Sequence, residues 1–123
     1  MRYDYKKQLR SFRYAWQGIR QCVGREQNLS FHLIATVVVI GAGFAFGITR
    51  GEWTAICLCI GLVISAELFN TAIERLVDLV SPQRHPLAGQ VKDIAAGAVL
   101  VCALAAIAVG LIIFVPYLTR IFL

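Results

Sequence analysis

The chain has 123 residues, 59% of them hydrophobic, with a mean hydropathy of +0.71 and a formal net charge of +5. That length allows one domain, and that hydropathy excludes an ordinary water-soluble globule in favour of a membrane protein. The basic residues gather beside apolar runs, where lipid headgroups rather than nucleic acid are the natural partner, and the 4 cysteines form no C-x-x-C pair to indicate a disulfide or a metal.

The first predicted element covers residues 5–23. Tyr5, Leu9, Phe12, Trp16, Ile19 and Val23 recur at alternating spacings of four and three, while Lys6, Lys7, Arg10, Arg13 and Arg20 point elsewhere. An amphipathic helix with aromatic residues on one side and basic residues on the other is expected to lie in the headgroup plane. A polar cluster follows, Arg25-Glu26-Gln27-Asn28, with His32 just beyond it as an expected interhelical hydrogen-bonding residue rather than a catalytic one.

Three apolar runs come next, residues 29–49, 53–80 and 91–118, each able to cross about 30 Å of hydrocarbon as a helix of about 20 residues. The first run is expected to be a permanent helix rather than a cleaved signal peptide, because a long Arg-rich segment precedes it and no clear small-x-small cleavage site follows it. Gly43-x-x-x-Gly47 allows a close approach, Thr49-Arg50-Gly51-Glu52 makes a tight hairpin, and Trp53 is placed as an interfacial anchor. Pro82, Pro86 and Gly89 mark residues 81–89 as a break before a last helix that opens at Gln90-Val91-Lys92-Asp93. Arginines and lysines crowd the leader, and Arg84 and Lys92 lie after the second run, so the N-terminus and that second loop are expected on the cytoplasmic side.

The second run ends in ISAELFNTAIERLVDLV, where Glu67, Asn70, Glu74 and Asp78 fall at spacings of three, four and four and form one narrow polar stripe. Acids in or near hydrocarbon are costly unless they face protein, water or a cation, so this stripe is a functional candidate. At ~1.5 Å per residue from Trp53, Glu67 lies about 21 Å in, roughly 9 Å short of the cytoplasmic edge, with Glu74 near that edge and Asp78 beyond it. Once the three runs are registered, Glu26, Glu67, Glu74, Asp78, Lys92 and Asp93 gather at one boundary, leaving out only Asp4 and Glu52. Carboxylates grouped in this way suit Mg²⁺ together with substrate phosphates, and a site at headgroup depth meets a nucleotide from one side and a lipid hydroxyl from the other. Neither the P-loop nor the protein-kinase catalytic-loop motif is present.

At these residues the chain resembles the small bacterial integral-membrane lipid kinases of the diacylglycerol kinase and undecaprenol kinase family. The likeness runs from Arg10-Ser11-Phe12-x-Tyr14-Ala15 through Glu26-x-Asn28 and Ala66-Glu67-Leu68-x-Asn70-Thr71-Ala72-Ile73-Glu74 to Lys92-Asp93. It implies an all-α homotrimer, with an N-terminal surface helix and three transmembrane helices per subunit and sites shared between neighbours, that uses ATP and Mg²⁺ to phosphorylate a membrane lipid alcohol. Carried over, Glu67 matches the general base and Asn70 the residue that orients it, while Glu26 and Glu74 match ligands of the nucleotide-bound magnesium. Lys92 and Asp93 match nucleotide contacts, as do Lys7, Tyr14 and the Gln83-Arg84-His85 stretch, with Asp78 a further candidate. Glu26-Gln27-Asn28 with His32, and Ala95-Ala96-Gly97 after Lys92-Asp93, look more like the undecaprenol branch; the diacylglycerol branch tends to carry a small hydroxyl residue where Ala96 stands. Diacylglycerol kinase is the alternative, a small cation-coupled transporter is the alternative of a different class, and a membrane adaptor is a further reading.

Overall fold

The computed structural model describes residues 1–123 as four helices and no strand: α1 Tyr5–Cys22, α2 Gln27–Phe46, α3 Arg50–Val80 and α4 Pro86–Phe122. The last three are long and apolar enough to cross a membrane. At 31 and 37 residues, α3 and α4 reach about 46 and 55 Å, longer than a hydrocarbon core, so each carries polar turns past the membrane edge.

Helix α1 begins at Asp4, whose carboxylate accepts from the backbone N–H groups of Lys6 and Lys7 at 3.0 and 3.2 Å. Its apolar stripe, including Tyr5, Leu9, Phe12 and Trp16, is exposed and takes no part in this chain's own core. Only its end docks, with Gly18, Ile19 and the buried Cys22 lying against Leu68, Thr71 and Arg75 of α3. Gly24, at a φ of 78°, turns the chain into α2.

The far end of the bundle is tightly tied. Gly47 ends α2 in the left-handed conformation at a φ of 63°, so it serves as a helix cap rather than as half of a packing motif. Gly43 is the true close approach: a Cβ there would stand 2.6 Å from the Trp53 ring, which packs on Phe44 with centroids 4.9 Å apart. Trp53 thus locks α2 to α3 besides marking the interface. Thr49 and Glu52 form a reciprocal capping box, and Glu52 also accepts a 2.5 Å hydrogen bond from Tyr117 of α4, whose ring lies under Arg120.

The last helix starts earlier than Gln90. Pro86 takes the first helical position, where its missing N–H costs nothing, and His85 caps it by accepting from the Leu87 N–H at 3.1 Å. What looked like a loop proline is a helix initiator, and Gly89 sits inside the first turn.

Only 12 of 123 residues are buried, and large apolar side chains such as Val37, Phe69, Leu104 and Ile112 are exposed. A chain that leaves so much apolar surface uncovered needs hydrocarbon, or copies of itself, around it. The small core, centred on Ile48, Ile56 and Ile113, lies toward the Glu52 end. At the other end of α3 the buried residues are polar: Glu67, Asn70 and Thr71.

Candidate active site

Position along α3 decides what each acid experiences. Glu67 is 3% exposed and points toward α2, where His32 Nε2 stands 3.4 Å from its Oε1. A buried carboxylate without a partner is costly, and His32 is the only side chain in ion-pairing range. His32 is therefore the interhelical partner expected of it, and the residue it meets is the central acid of the stripe. One turn on, Asn70 is buried and donates from Nδ2 to Glu74 Oε1 at 3.2 Å, an i to i+4 contact that keeps the Glu74 carboxylate turned toward the helix. The Asn70 Oδ1 atom is buried and has no hydrogen-bond partner. Such an orphaned acceptor is uncommon away from functional positions.

Glu26 precedes α2 in the capping position, yet its side chain caps nothing. It reaches α3 instead, where Arg75 Nη2 stands 3.6 Å from its Oε1 with both groups partly exposed. Glu74 stands seven residues, about two turns, beyond Glu67 on the same helix. Glu67 and Glu74 of α3 and Glu26 at the start of α2 thus lie at the same end of the α2–α3 contact, with Arg75 the one cation paired there. Arg75 received no role from the sequence; an arginine directly after Glu74, at the edge of an otherwise acidic stripe, was the available signal.

A second feature lies beyond it. Asp78, one turn past Glu74, and Lys92 of α4 form a 2.6 Å ion pair across the α3–α4 turn. With Gln83, Arg84 and His85 they line an open cleft of about 460 Å³. The structure therefore brings Asp78, Gln83, Arg84, His85 and Lys92 together and leaves the exposed Asp93 outside that lining. Lys7 and Tyr14 stand on the exposed surface of α1 and do not line that cleft.

Within one chain, no three acid, histidine or cysteine side chains close into a metal-binding cluster. The residues nevertheless fit a magnesium nucleotide, which takes one or two protein carboxylates and completes its shell with phosphate oxygens and water. Glu26 and Glu74 are acids of that kind. Both hold only one weak or neutral partner, at 3.6 and 3.2 Å, and both are partly open.

A buried carboxylate, flanking acids at the membrane edge and a basic cleft beside them can deprotonate an alcohol held in the bilayer next to a bound polyphosphate. Comparison with known proteins gives the family. Residues 13–114 match the family model described as Prokaryotic diacylglycerol kinase. The chain is 43% identical over 119 residues to an undecaprenol kinase of Bacillus subtilis, covering 94% of this chain and 97% of that one. It is 40% identical over 107 residues to a diacylglycerol kinase of Synechocystis, covering 86% of this chain and 61% of that one. It is 26% identical over 94 residues to the diacylglycerol kinase of Escherichia coli K12, covering 76% of this chain and 77% of that one. The chain is a multi-pass membrane protein that belongs to the prokaryotic diacylglycerol kinase family of lipid kinases.

Proposed function

We propose that this chain transfers the γ-phosphoryl group of ATP to undecaprenol, giving undecaprenyl phosphate and ADP, at the cytoplasmic face of a bacterial inner membrane. The observation that carries the reading is Glu67, an acid buried inside an apolar helix bundle with a histidine 3.4 Å away. The near full-length likeness to an undecaprenol kinase supports the polyprenol as acceptor, as does an alanine at position 96. The likeness to diacylglycerol kinases supports a second reading, in which the acceptor is diacylglycerol and the product phosphatidic acid.

In the proposed reaction the lipid hydroxyl oxygen attacks the γ-phosphorus, the bond from that phosphorus to the β-bridging oxygen breaks, and the hydroxyl proton passes to Glu67. Asn70 holds this geometry by fixing Glu74 and by offering its amide to the transferring group. Glu26 and Glu74 hold Mg²⁺, which when bound neutralises phosphate charge. Lys92 leaves Asp78 for a phosphate, and Gln83, Arg84, His85 and Asp93 meet the rest of the nucleotide, with Lys7 and Tyr14 supplied by α1. The small share of the chain that is buried supports an assembly of copies, which the family resemblance makes a homotrimer in which a neighbour's α1 completes the site.

A cation-coupled transporter draws no support, because its charges would have to continue through the midplane, whereas the far half of the bundle is held by isoleucines. Purified protein given γ-labelled ATP and both lipids in parallel tests the proposal. Label entering mainly undecaprenol supports it; label entering mainly diacylglycerol replaces it with the second reading.

A further inference from the structure

Four acids at this end of the bundle each have one partner. Glu74 accepts from Asn70 at 3.2 Å, Glu26 stands 3.6 Å from Arg75, Asp78 stands 2.6 Å from Lys92, and Glu67 stands 3.4 Å from His32. The two pairs that contain a fixed cation lie open to water, with every member about a third or more exposed, whereas Glu67 and His32 are 3% and 17% exposed. Nearby donors are engaged elsewhere. The Asn70 amide is turned to Glu74, and the Ser30 and Thr36 hydroxyls of α2 donate to the backbone carbonyls of Glu26 and His32 at 3.0 and 2.8 Å. The stretch of α4 that shares a lining with His32, Ala103 to Gly110, is apolar and offers the ring no competing partner.

We propose that His32 is a positioning residue for the phosphoryl transfer: its Nε2–H donates to Oε1 of Glu67 and leaves Oε2 to take the proton of the acceptor hydroxyl. The assignment rests on the lipid-kinase reading, with Glu67 as the base, and deepens it. A separation of 3.4 Å is longer than a settled N–H···O hydrogen bond, and contacts that orient a general base often tighten only when the reacting group is held. Histidine suits this place as lysine or arginine would not. A fixed cation at that depth would carry its charge into hydrocarbon, and it would hold the carboxylate as a salt and so weaken it as a base. A neutral imidazole instead offers one N–H, which fixes the direction of one carboxylate oxygen without cancelling the charge on the other. The carboxylate in turn selects the tautomer with its proton on Nε2 and leaves Nδ1 as the acceptor.

The test uses purified full-length protein carrying His32→Leu, which removes the donor, His32→Gln, whose amide reaches about as far as Nε2, or His32→Asn, whose amide stops one bond short. Initial rates over a range of ATP, with undecaprenol saturating, give kcat and KM for ATP, and thermal unfolding and cross-linking give stability and oligomer size. In His32→Leu, kcat falls about tenfold to a hundredfold, the effect of losing one hydrogen bond to a charged group, while KM for ATP stays at the parent value. His32→Gln restores most of that loss and His32→Asn does not. A side chain that only filled space would be replaced as well by leucine as by glutamine. Where His32→Leu fails to fold or assemble, the Asn and Gln variants carry the same comparison, because they differ in reach and not in chemistry. Parent-like kcat in His32→Leu, or in His32→Asn where the first does not assemble, overturns the assignment while the kinase reading stands. So does an equal loss of kcat in the Gln and Asn variants, or a rise in KM for ATP with kcat held. Parent-like turnover by Glu67→Gln removes the base itself, and a parent protein that labels no lipid overturns the kinase reading; either takes the role of His32 with it.

Discussion

Replacing Lys92 with Met separates a structural ion pair from a functional one. Lys92 and Asp78 are 2.6 Å apart, but their side chains are 38% and 66% exposed. An ion pair so open to solvent contributes about 0–1 kcal/mol to stability, because water screens it and two flexible side chains must be held still. If Lys92 moves from Asp78 onto a nucleotide phosphate, a charge-assisted hydrogen bond worth about 1.5–3 kcal/mol is lost in the variant. At about 1.4 kcal/mol per factor of ten, KM for ATP then rises about tenfold to somewhat over a hundredfold. The two magnitudes do not overlap, so one comparison decides. Thermal unfolding in detergent and initial rates over a range of ATP, with lipid saturating, give both numbers. Large loss of ATP affinity with nearly unchanged unfolding is the expected outcome. A parent-like KM, or a stability loss that accounts for the activity loss, refutes the assignment of Lys92 to the nucleotide.

Asp78→Asn is expected to leave turnover near the parent's if, as proposed, Asp78 serves only to hold Lys92 between nucleotides; a collapse of kcat in steady-state assays would place Asp78 in the chemistry instead. Gly43→Ala and Gly41→Ala differ by two positions yet are expected to change stability in opposite senses. At Gly43 the new methyl lies 2.6 Å from the Trp53 ring, an overpacking cost of about 1–3 kcal/mol. At Gly41 there is open space and only the helix-propensity gain of up to about 1 kcal/mol remains. Melting curves of equal midpoint for the two variants would contradict the close approach. Chelating magnesium is expected to abolish phosphate transfer, with recovery on adding Mg²⁺ but not Na⁺; transfer that persists in chelator would remove Glu26 and Glu74 as metal ligands.

Hydropathy and the three-four-four spacing made the spans and the acidic stripe legible, because α3 is a single uninterrupted helix and depth follows from counting along it. That His32 faces another helix was legible, but not that it meets Glu67. Whether His32 or Phe31 meets Glu67 depends on a rotation set by Gly24 at one end and by Gly43 against Trp53 at the other, and periodicity within one helix carries no record of its neighbour. For the same reason the pairing of Glu26 with Arg75 and of Asp78 with Lys92 emerged only from packing. Glu52 was set aside as a far-side loop acid. Its two hydrogen-bonding tasks, capping α3 and gripping Tyr117, need a residue 65 positions away that no local pattern connects to it. Pro86 was misread because a proline opening a helix and a proline breaking one leave the same mark on the chain until the following N–H groups are seen to be capped.

The most direct test of the central idea, that a carboxylate buried in the bundle takes the proton of a membrane alcohol, is the rate of undecaprenyl phosphate formation by Glu67→Gln at saturating ATP and lipid. The amide keeps the shape and the approach to His32 but cannot accept that proton. Turnover is expected to fall by about 10²–10⁴, with unfolding temperature and oligomer size unchanged. Turnover equal to the parent's would show that the proton goes elsewhere.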